Sequence, residues 1–324
     1  MNALHTPVLA EEAVHWLAIR PGGTYVDATV GLGGHALEIL KQMGGQGRLI
    51  GLDRDAQALE IARERLKVYE RQVTLVHAEF SRIGEVAENL GLPPADGVLA
   101  DLGVSSLQLD EMERGFSFRA SGPLDMRMDT SVEALTAHEI VNRSQERELA
   151  NLLFQYGEER DSRRIARAIV RARPIRDTAH LATVVAGARK QGGRQKLHPA
   201  TKTFLALRIA VNREMEELEQ FLTRTPATLS LGGRWVVLAY HSLEDRQVKH
   251  RFQQLAREAA FRMLTKKPIV PADIEVAQNP RARSAKMRVV EKIGVEKMSA
   301  ETNGAENLGA EINGTEKIEL ERAS

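Results

Sequence analysis

The residues best suited to chemistry follow a short apolar run near the start of the chain, in the segment Asp27-Ala-Thr-Val-Gly31-Leu-Gly33-Gly34-His35. Glycines at such a turn let the backbone approach a ligand closely, and a helix that starts there directs its N–H groups at the ligand. Asp53 lies twenty residues after Gly33, where a carboxylate can accept hydrogen bonds from both ribose hydroxyls. This pattern predicts a nucleotide-like ligand. It does not identify that ligand, because Gly31-x-Gly33-x-x-Ala36 also fits the dinucleotide fingerprint.

Asp27 favours a methyl donor over NAD. A carboxylate four residues before the first glycine would repel the pyrophosphate of NAD. S-adenosylmethionine instead carries an ammonium and a sulfonium, and both are attracted by a carboxylate. Glu79 and Phe80 offer an acceptor and an aromatic face for adenine, and Asp101 lies where the reactive end of the donor is expected. Asp27 can also be a turn or helix-capping residue, but carboxylates at three successive strand ends favour a ligand site. We therefore expect S-adenosylmethionine as the cofactor, with a dehydrogenase as a distant alternative.

Four apolar runs with helical patterns between them must position these residues. The runs cover 24–30, 48–55, 73–79 and 96–103. Such alternation predicts an α/β fold with a mostly parallel sheet covered on both faces. The alternation then stops: 106–198 contains a turn-rich stretch and helical patterns, followed by one long helix over 201–221. Strand patterns return at 234–240 and in a closing pair at 262–270 and 286–292.

The sequence thus predicts one sheet domain that is split by an insertion. We expect the sheet domain to cover 1–105 and 199–295, and a helical, substrate-recognising insertion to cover 106–198. Residues 296–324 carry seven Glu against three Lys or Arg and few large apolar side chains, so we expect a disordered acidic tail.

Positive charge is concentrated in the middle of the chain, although the net charge is only +1. Residues 158–202 carry twelve Lys or Arg against four Asp or Glu, which favours a polyanionic partner over a merely solvated helix face. Helical spacing aligns one row of arginines, which are Arg164, Arg167 and Arg171. Two more candidates for binding the substrate, Arg281 and Arg283, precede the last strand. Aromatic residues make up only 4%, so recognition of a folded RNA by shape and phosphate is expected. Phe116 and Phe118 either stack on a target base or pack beneath their loop.

Several classes of protein are disfavoured. The absence of Cys excludes disulfides and thiolate metal sites, and the nine His are scattered without a metal-binding spacing, so we expect no metal. No apolar stretch approaches the roughly 18 residues of a membrane span. The first residues lack the layout of a signal peptide, and we expect a cytoplasmic protein.

Many longer motifs resemble one family, the bacterial 16S rRNA (cytosine-N4)-methyltransferases called RsmH or MraW. The resemblance runs from His5 to about Glu291 and rests on the segments HTPVL (5–9), GLGGH (31–35), DLGVSSLQ (101–108), ERGFSF (113–118), GPLDMRMD (122–129), YGEE (156–159), HPAT (198–201), YHSLEDR (240–246) and NPRARS (279–284). Leu107 departs from the proline expected after the paired serines, but Gln108 stays in register.

The resemblance implies a class I methyltransferase fold and methylation of N4 of cytidine 1402 in the 16S rRNA of the small ribosomal subunit. It also implies a set of donor contacts, which are Gly33, Gly34, His35, Asp53, Phe80, Asp101 and Gln108. The alternatives that remain are a methyltransferase acting on a protein or small molecule, and a non-catalytic ribosome assembly factor with this fold.

Two residues are catalytic candidates. Asp101 occupies the position at which many amino methyltransferases resemble one another in an Asp/Asn-Pro-Pro-aromatic loop, but Leu102-Gly103-Val104 follows here. We expect Asp101 to orient the target amino group or to accept its proton. His241 follows the fifth strand and either accepts a proton near neutral pH or caps the next helix. Ser242 and Asp245 also match a capping-box variant at that helix start.

Overall fold

The computed structural model describes residues 7–189 and 198–294, and the predicted acidic tail lies outside them. Its strands are Thr24–Asp27 (β1), Arg48–Asp53 (β2), Val73–His77 (β3), Ala95–Asp101 (β4), Leu229–Ala239 (β5), Phe261–Met263 (β6) and Lys286–Lys292 (β7). They form one seven-stranded sheet in the order β3-β2-β1-β4-β5-β7-β6. Neighbours among β1 to β5 run parallel, and β7 lies antiparallel to both β5 and β6. The predicted α/β fold with a mostly parallel sheet is confirmed.

Helices connect the strands and cover the sheet. They are Ala10–Leu17 (α1), Gly34–Met43 (α2), Ala56–Arg65 (α3), Ile83–Asn89 (α4), Ser106–Asp110 (α5), Ala137–Arg143 (α6), Glu146–Gly157 (α7), Ser162–Arg171 (α8), Thr178–Ala188 (α9), Thr201–Asn212 (α10), Glu214–Thr228 (α11), Ser242–Arg257 (α12) and Asp273–Gln278 (α13). No helix in the described ranges is long and apolar enough to cross a membrane.

The central parts of the strands are mostly apolar because both faces of the sheet are covered there. Side chains of one strand alternate between two cores, so that Val98 and Ala100 pack on one face and Leu99 on the other. Trp235 lies fully buried in the first core with Phe221 of α11 and Phe252 of α12. Each such side chain contributes roughly 1.5–3 kcal/mol through burial. This packing fixes the carboxyl ends of the strands, where the candidate residues lie.

A third core belongs to the region between β4 and β5. It gathers apolar side chains from Phe116 to Val211, and no strand occurs in the described part of 106–198, as predicted. Phe204 and Leu207 of α10 are part of this core. The division into domains stays a proposal, and this packing favours an insertion that extends through α10 to Asn212.

The long helix predicted over 201–221 is wrong, because two helices meet at Arg213. Arg213 has a φ of 51°, in the left-handed region, and it ends α10 and starts α11. The prediction of a strand over 262–270 is also too long. β6 ends at Met263, and beyond it only Ile269 forms an isolated bridge, with Met287.

Candidate functional site

Three carboxylates lie at the carboxyl edge of the sheet. Asp27, Asp53 and Asp101 are the last residues of β1, β2 and β4, so the strand register brings them to one edge. A cavity of about 350 Å³ opens there and is lined by Asp53 and Asp101, whereas Asp27 lies beneath it with 1% of its surface exposed. The position and size are typical of a small-molecule site in an open parallel sheet.

The glycine-rich turn after β1 forms one wall of this cavity. Gly31 and Gly33 have φ values of 50° and 77°, which residues other than glycine rarely adopt. Gly33 is also the N-cap of α2. Gly31 and Gly34 line the cavity, while Gly33 lies behind the turn against Leu66. A Cβ at Gly34 would come within 3.2 Å of Pro7, so a larger residue would displace the neighbouring chain.

Asp53 holds the turn in place. Its Oδ2 accepts a hydrogen bond from the Gly31 N–H at 2.8 Å, and its Oδ1 accepts one from the Asp55 N–H at 2.9 Å. Burial raises the pKa of Asp53 to about 6, although these two N–H groups oppose the shift. Each carboxylate oxygen keeps one lone pair, so Asp53 can still accept hydrogen bonds from the hydroxyls of a ribose.

Four polar side chains lie together between β1 and β5: Asp27 is buried, and His35, Asp101 and Tyr240 line the cavity. Asp27 Oδ2 is buried without a hydrogen-bond partner, and burial raises the pKa of this carboxyl to about 7, against the influence of His35. His35 Nε2 lies 3.4 Å from Asp101 Oδ2. Burial alone would lower the pKa of His35, but Asp101 and Asp27 outweigh it and raise the pKa. Burial therefore raises the pKa of the Asp27 carboxyl, and the neighbouring carboxylates raise the pKa of the His35 imidazole.

Tyr240 is the fourth of these polar side chains, and the sequence did not identify it as a site residue. Its hydroxyl donates to Asp101 Oδ1 at 2.7 Å, and burial, reinforced by Asp101, raises the pKa of Tyr240 well above its usual value. The hydroxyl therefore stays protonated and acts as a donor. The Asp101 N–H donates to Thr29 Oγ1 at 2.6 Å, so both the backbone and the side chain of Asp101 are held. The signal was the position of Tyr240 directly after the fifth strand.

Phe80 and Gln108, two of the expected donor contacts, also line the cavity, and their contact with the donor stays a prediction. Phe80 packs edge-on against Phe221, with ring centroids 5.1 Å apart. Gln108 forms a capping box with Ser105 at the start of α5, and its Nε2 donates to Asp55 Oδ2 at 2.8 Å. Both side chains are therefore fixed by the protein itself.

Asp55 and Arg114 form a second feature that the sequence analysis did not find. Asp55 caps α3 by accepting hydrogen bonds from the N–H groups of Gln57 and Ala58. Arg114 Nη2 donates to Asp55 Oδ2 at 2.9 Å and to the carbonyl of Met128 at 2.8 Å. The pair therefore joins the loop after β2 to the insertion. Arg114 lies in the motif ERGFSF, which was the available signal.

His241 acts as a helix cap in this structure. Its Nδ1 accepts from the Glu244 N–H at the start of α12, and its Nε2 lies 3.0 Å from Glu244 Oε1. The capping box thus begins at His241 and not at Ser242, and the Ser242 prediction is wrong. Glu244, which the sequence places after the fifth strand together with His241, lines the cavity, whereas His241 does not. Proton acceptance by His241 stays a prediction.

One group of potential metal ligands occurs among the described residues. Side-chain atoms of Glu214, His241 and Glu244 lie within 4.8 Å of one another. Each already has a partner, because Arg208 forms two hydrogen bonds with Glu214 while His241 pairs with Glu244. We assign no metal to this group, and the absence of a metal stays a prediction.

The predicted arginine row lies on the surface of the insertion. Arg164, Arg167 and Arg171 are exposed on α8, with Ile165 and Ile169 buried on the opposite face. Arg167 Nε lies 3.3 Å from Glu146 of α7. The other arginines follow α13: Arg281 lines the cavity and pairs with Asp110, and Arg283 is exposed.

Phe116 and Phe118 pack in the insertion core, so the interpretation that they lie beneath their loop is confirmed. Phe118 stacks on His198 with ring centroids 4.6 Å apart and contacts Phe204 edge-on. Neither phenylalanine lines the cavity.

S-adenosylmethionine fits this site. The orphaned Asp27 Oδ2 suits a nearby cation better than a phosphate, and Asp53 and Phe80 suit a ribose and an adenine. Sheet order, glycine turn and carboxylates together define a class I methyltransferase that uses S-adenosylmethionine.

Comparison with known proteins identifies the family of methyltransferases to which the chain belongs. The model of the MraW methylase family matches residues 2–293. The chain is 51% identical over 297 residues to "Ribosomal RNA small subunit methyltransferase H" of Koribacter versatilis (strain Ellin345), covering 89% of this chain and 94% of that protein. The protein of the same name from Acidobacterium capsulatum is 49% identical over 295 residues, covering 89% and 98%. The chain therefore belongs to the MraW methylase family.

Proposed function

We propose that this protein transfers a methyl group from S-adenosylmethionine to the N4 amino group of cytidine 1402 in 16S rRNA of the small ribosomal subunit, in the cytoplasm. The observation that carries the proposal is that one cavity is lined both by residues at the strand ends, such as Asp53 and Asp101, and by Met128 of the insertion. The names of the relatives support ribosomal RNA of the small subunit as the substrate.

The donor would be held by residues around the glycine turn. The proposed contacts are Gly34, His35, Asp53, Phe80, Asp101 and Gln108, with Asp27 as a buried counter-charge. Gly33, which lies behind the turn, would act by shaping it. When bound, S-adenosylmethionine would supply an electrophilic methyl group on a sulfonium, whose sulfur becomes a neutral thioether as the methyl group is transferred. Burial of Asp27 and Asp53 lowers the local dielectric, which strengthens the attraction between these carboxylates and the cationic donor.

Asp101 would assist the nucleophile. The amino nitrogen of cytosine reacts poorly because its lone pair is delocalised into the ring. An oriented carboxylate can accept a hydrogen bond from this amino group and take up its proton. The Tyr240 hydroxyl donates to Oδ1 of Asp101, and His35 Nε2 lies 3.4 Å from Oδ2, so the carboxylate is oriented before the substrate arrives.

The insertion would recognise folded RNA. Arg164, Arg167 and Arg171 are exposed on one surface and suit contacts to phosphates. Arg281 and Arg283 are proposed to add contacts close to the cavity mouth. The target base would leave its stack and enter the cavity, as enzymes that modify bases require.

Transfer of a labelled methyl group to small subunits that lack the native modification tests this proposal. The expected result is label in the RNA of the subunits, abolished in Asp101→Asn while calorimetry shows that the donor still binds. Full turnover by Asp101→Asn would refute the role of Asp101. Donor binding with label only in protein or in small molecules would support those alternatives, and failure to bind the donor would support an assembly factor.

A further inference from the structure

A buried ion pair of Arg208 and Glu214 lines the same cavity as Asp101. Arg208 Nε and Nη2 donate to the two carboxylate oxygens of Glu214 at 2.8 and 2.7 Å. The side chains are only 15% and 10% exposed. The pair exists because Arg213 breaks the helix, which turns Glu214 at the start of α11 back towards Arg208 on α10.

The guanidinium retains an unused donor. Among the described residues, Arg208 Nη1 donates to no group, while Nε and Nη2 are both occupied by Glu214. A guanidinium has five N–H donors in a rigid fork, so fixing one edge on Glu214 holds Nη1 in a defined direction. Glu244, which also lines the cavity, adds a second negative charge close to Arg208.

The surroundings of Arg208 connect the insertion to the cavity. Asn212, one helical turn later, accepts a hydrogen bond from the Met128 N–H at 2.8 Å and donates to the Met126 carbonyl at 2.7 Å. Met128 itself lines the cavity. The end of α10 thus holds both a charged and an apolar part of the cavity wall.

A buried ion pair adds little stability by itself, because desolvation offsets the attraction between its charges. Its presence in a cavity wall therefore calls for a function beyond joining α10 to α11. A fixed N–H donor in a largely apolar pocket is a common means of orienting a ligand and of selecting it.

We propose that Arg208 is a specificity-determining residue that reads the Watson–Crick edge of the target cytosine. Cytosine presents two acceptors, N3 and O2, beside its N4 amino group. Donation from Arg208 to these acceptors, with Asp101 accepting from N4, matches cytosine and mismatches uracil, whose N3 is a donor. This inference rests on the proposed function and adds a named residue for base selection.

Three variants test the inference in the full-length protein. Arg208→Gln keeps one donor for Glu214 but loses the guanidinium, and Glu214→Gln keeps an acceptor for Arg208. Arg234→Gln is a matched control, because Arg234 pairs with Glu291 at 3.1 Å and lies in β5 away from the cavity lining. The measurements are kcat/KM with unmodified small subunits, donor affinity by calorimetry, and the melting temperature.

We expect Arg208→Gln to lower kcat/KM by roughly 10- to 100-fold, the range of a lost base-edge contact, with donor affinity within about two-fold. Glu214→Gln should lower kcat/KM by less than about five-fold, and Arg234→Gln should leave it unchanged. Equal losses of activity and melting temperature in Arg208→Gln and Glu214→Gln would overturn the inference and leave a structural pair. A parallel loss of donor affinity would also overturn it. Absence of transfer by the wild type would overturn the proposed function and this inference together.

Discussion

Replacement of Arg114 by Met should loosen the attachment of the insertion to the sheet. Arg114 and Asp55 are 11% and 4% exposed, and their ion pair connects the cap of α3 with the insertion. The guanidinium also donates to the carbonyls of Arg127 and Met128 at 3.2 and 2.8 Å. Met fills a similar volume but supplies none of these hydrogen bonds.

The loss of stability in Arg114→Met depends on the hydrogen bonds that Asp55 keeps. Removal of one partner of a buried ion pair costs about 3–5 kcal/mol. Asp55 keeps hydrogen bonds from the N–H groups of Gln57 and Ala58 and from Gln108, which favours the lower end of this range. About 3 kcal/mol corresponds to a fall of about 5 °C in melting temperature, because the unfolding entropy is about 2.1 cal/mol/K per residue over the roughly 280 residues that the structure describes.

Thermal melts of purified protein measure this effect, with Arg63→Met as the matched control. Arg63 pairs with Glu60 on the surface of α3, where the side chains are 54% and 72% exposed, and such pairs contribute little. We expect the control to melt within about 2 °C of the wild type. The reasoning would be refuted if Arg114→Met also melted within that interval.

Three further predictions concern activity. Tyr240→Phe removes the hydrogen bond to Asp101 and should lower kcat by roughly 10- to 100-fold, since hydrogen bonds to charged groups contribute about 1.5–3 kcal/mol. Methyl-transfer assays should show this loss, while the affinity for the donor stays unchanged. Because the pKa of Asp53 is raised to about 6, its carboxylate is protonated below that pH, so calorimetry should show donor affinity rising from pH 5 to 7 and a flatter profile in Asp53→Asn. Binding of small subunits should weaken steeply as the salt concentration rises. Replacing Arg164, Arg167 and Arg171 by Gln should lower the slope of log affinity against log salt concentration by up to about 2–3. An unchanged slope would exclude phosphate contacts by these three arginines.

The parallel sheet was predictable because its strands carry continuous apolar runs. Each of the first four runs ends near a carboxylate or an aromatic residue, so the position of Asp53, Phe80 and Asp101 at one edge followed from topology alone. The exact strand ends did not follow: β1 stops at Asp27 and not at Val30, because the chain turns as soon as the glycine segment begins.

The interactions between distant segments were not predictable. The break at Arg213 has no glycine or proline signal, and only the packing of α10 in the insertion core and of α11 on the sheet explains it. Arg114 and Asp55 are 59 residues apart, and Tyr240 and Asp101 are 139 apart. Sequence spacing carries no information about such contacts.

The most direct test of the proposed function is the chemical identity of the methylated nucleoside. Small subunits that lack the native modification would be incubated with the wild-type protein and S-adenosylmethionine, and their RNA digested and mapped by mass spectrometry. We predict one N4-methylcytidine, at cytidine 1402, absent when Asp101→Asn replaces the wild type. A methyl group on carbon 5 of cytosine, on another base or on a ribosomal protein would contradict the account.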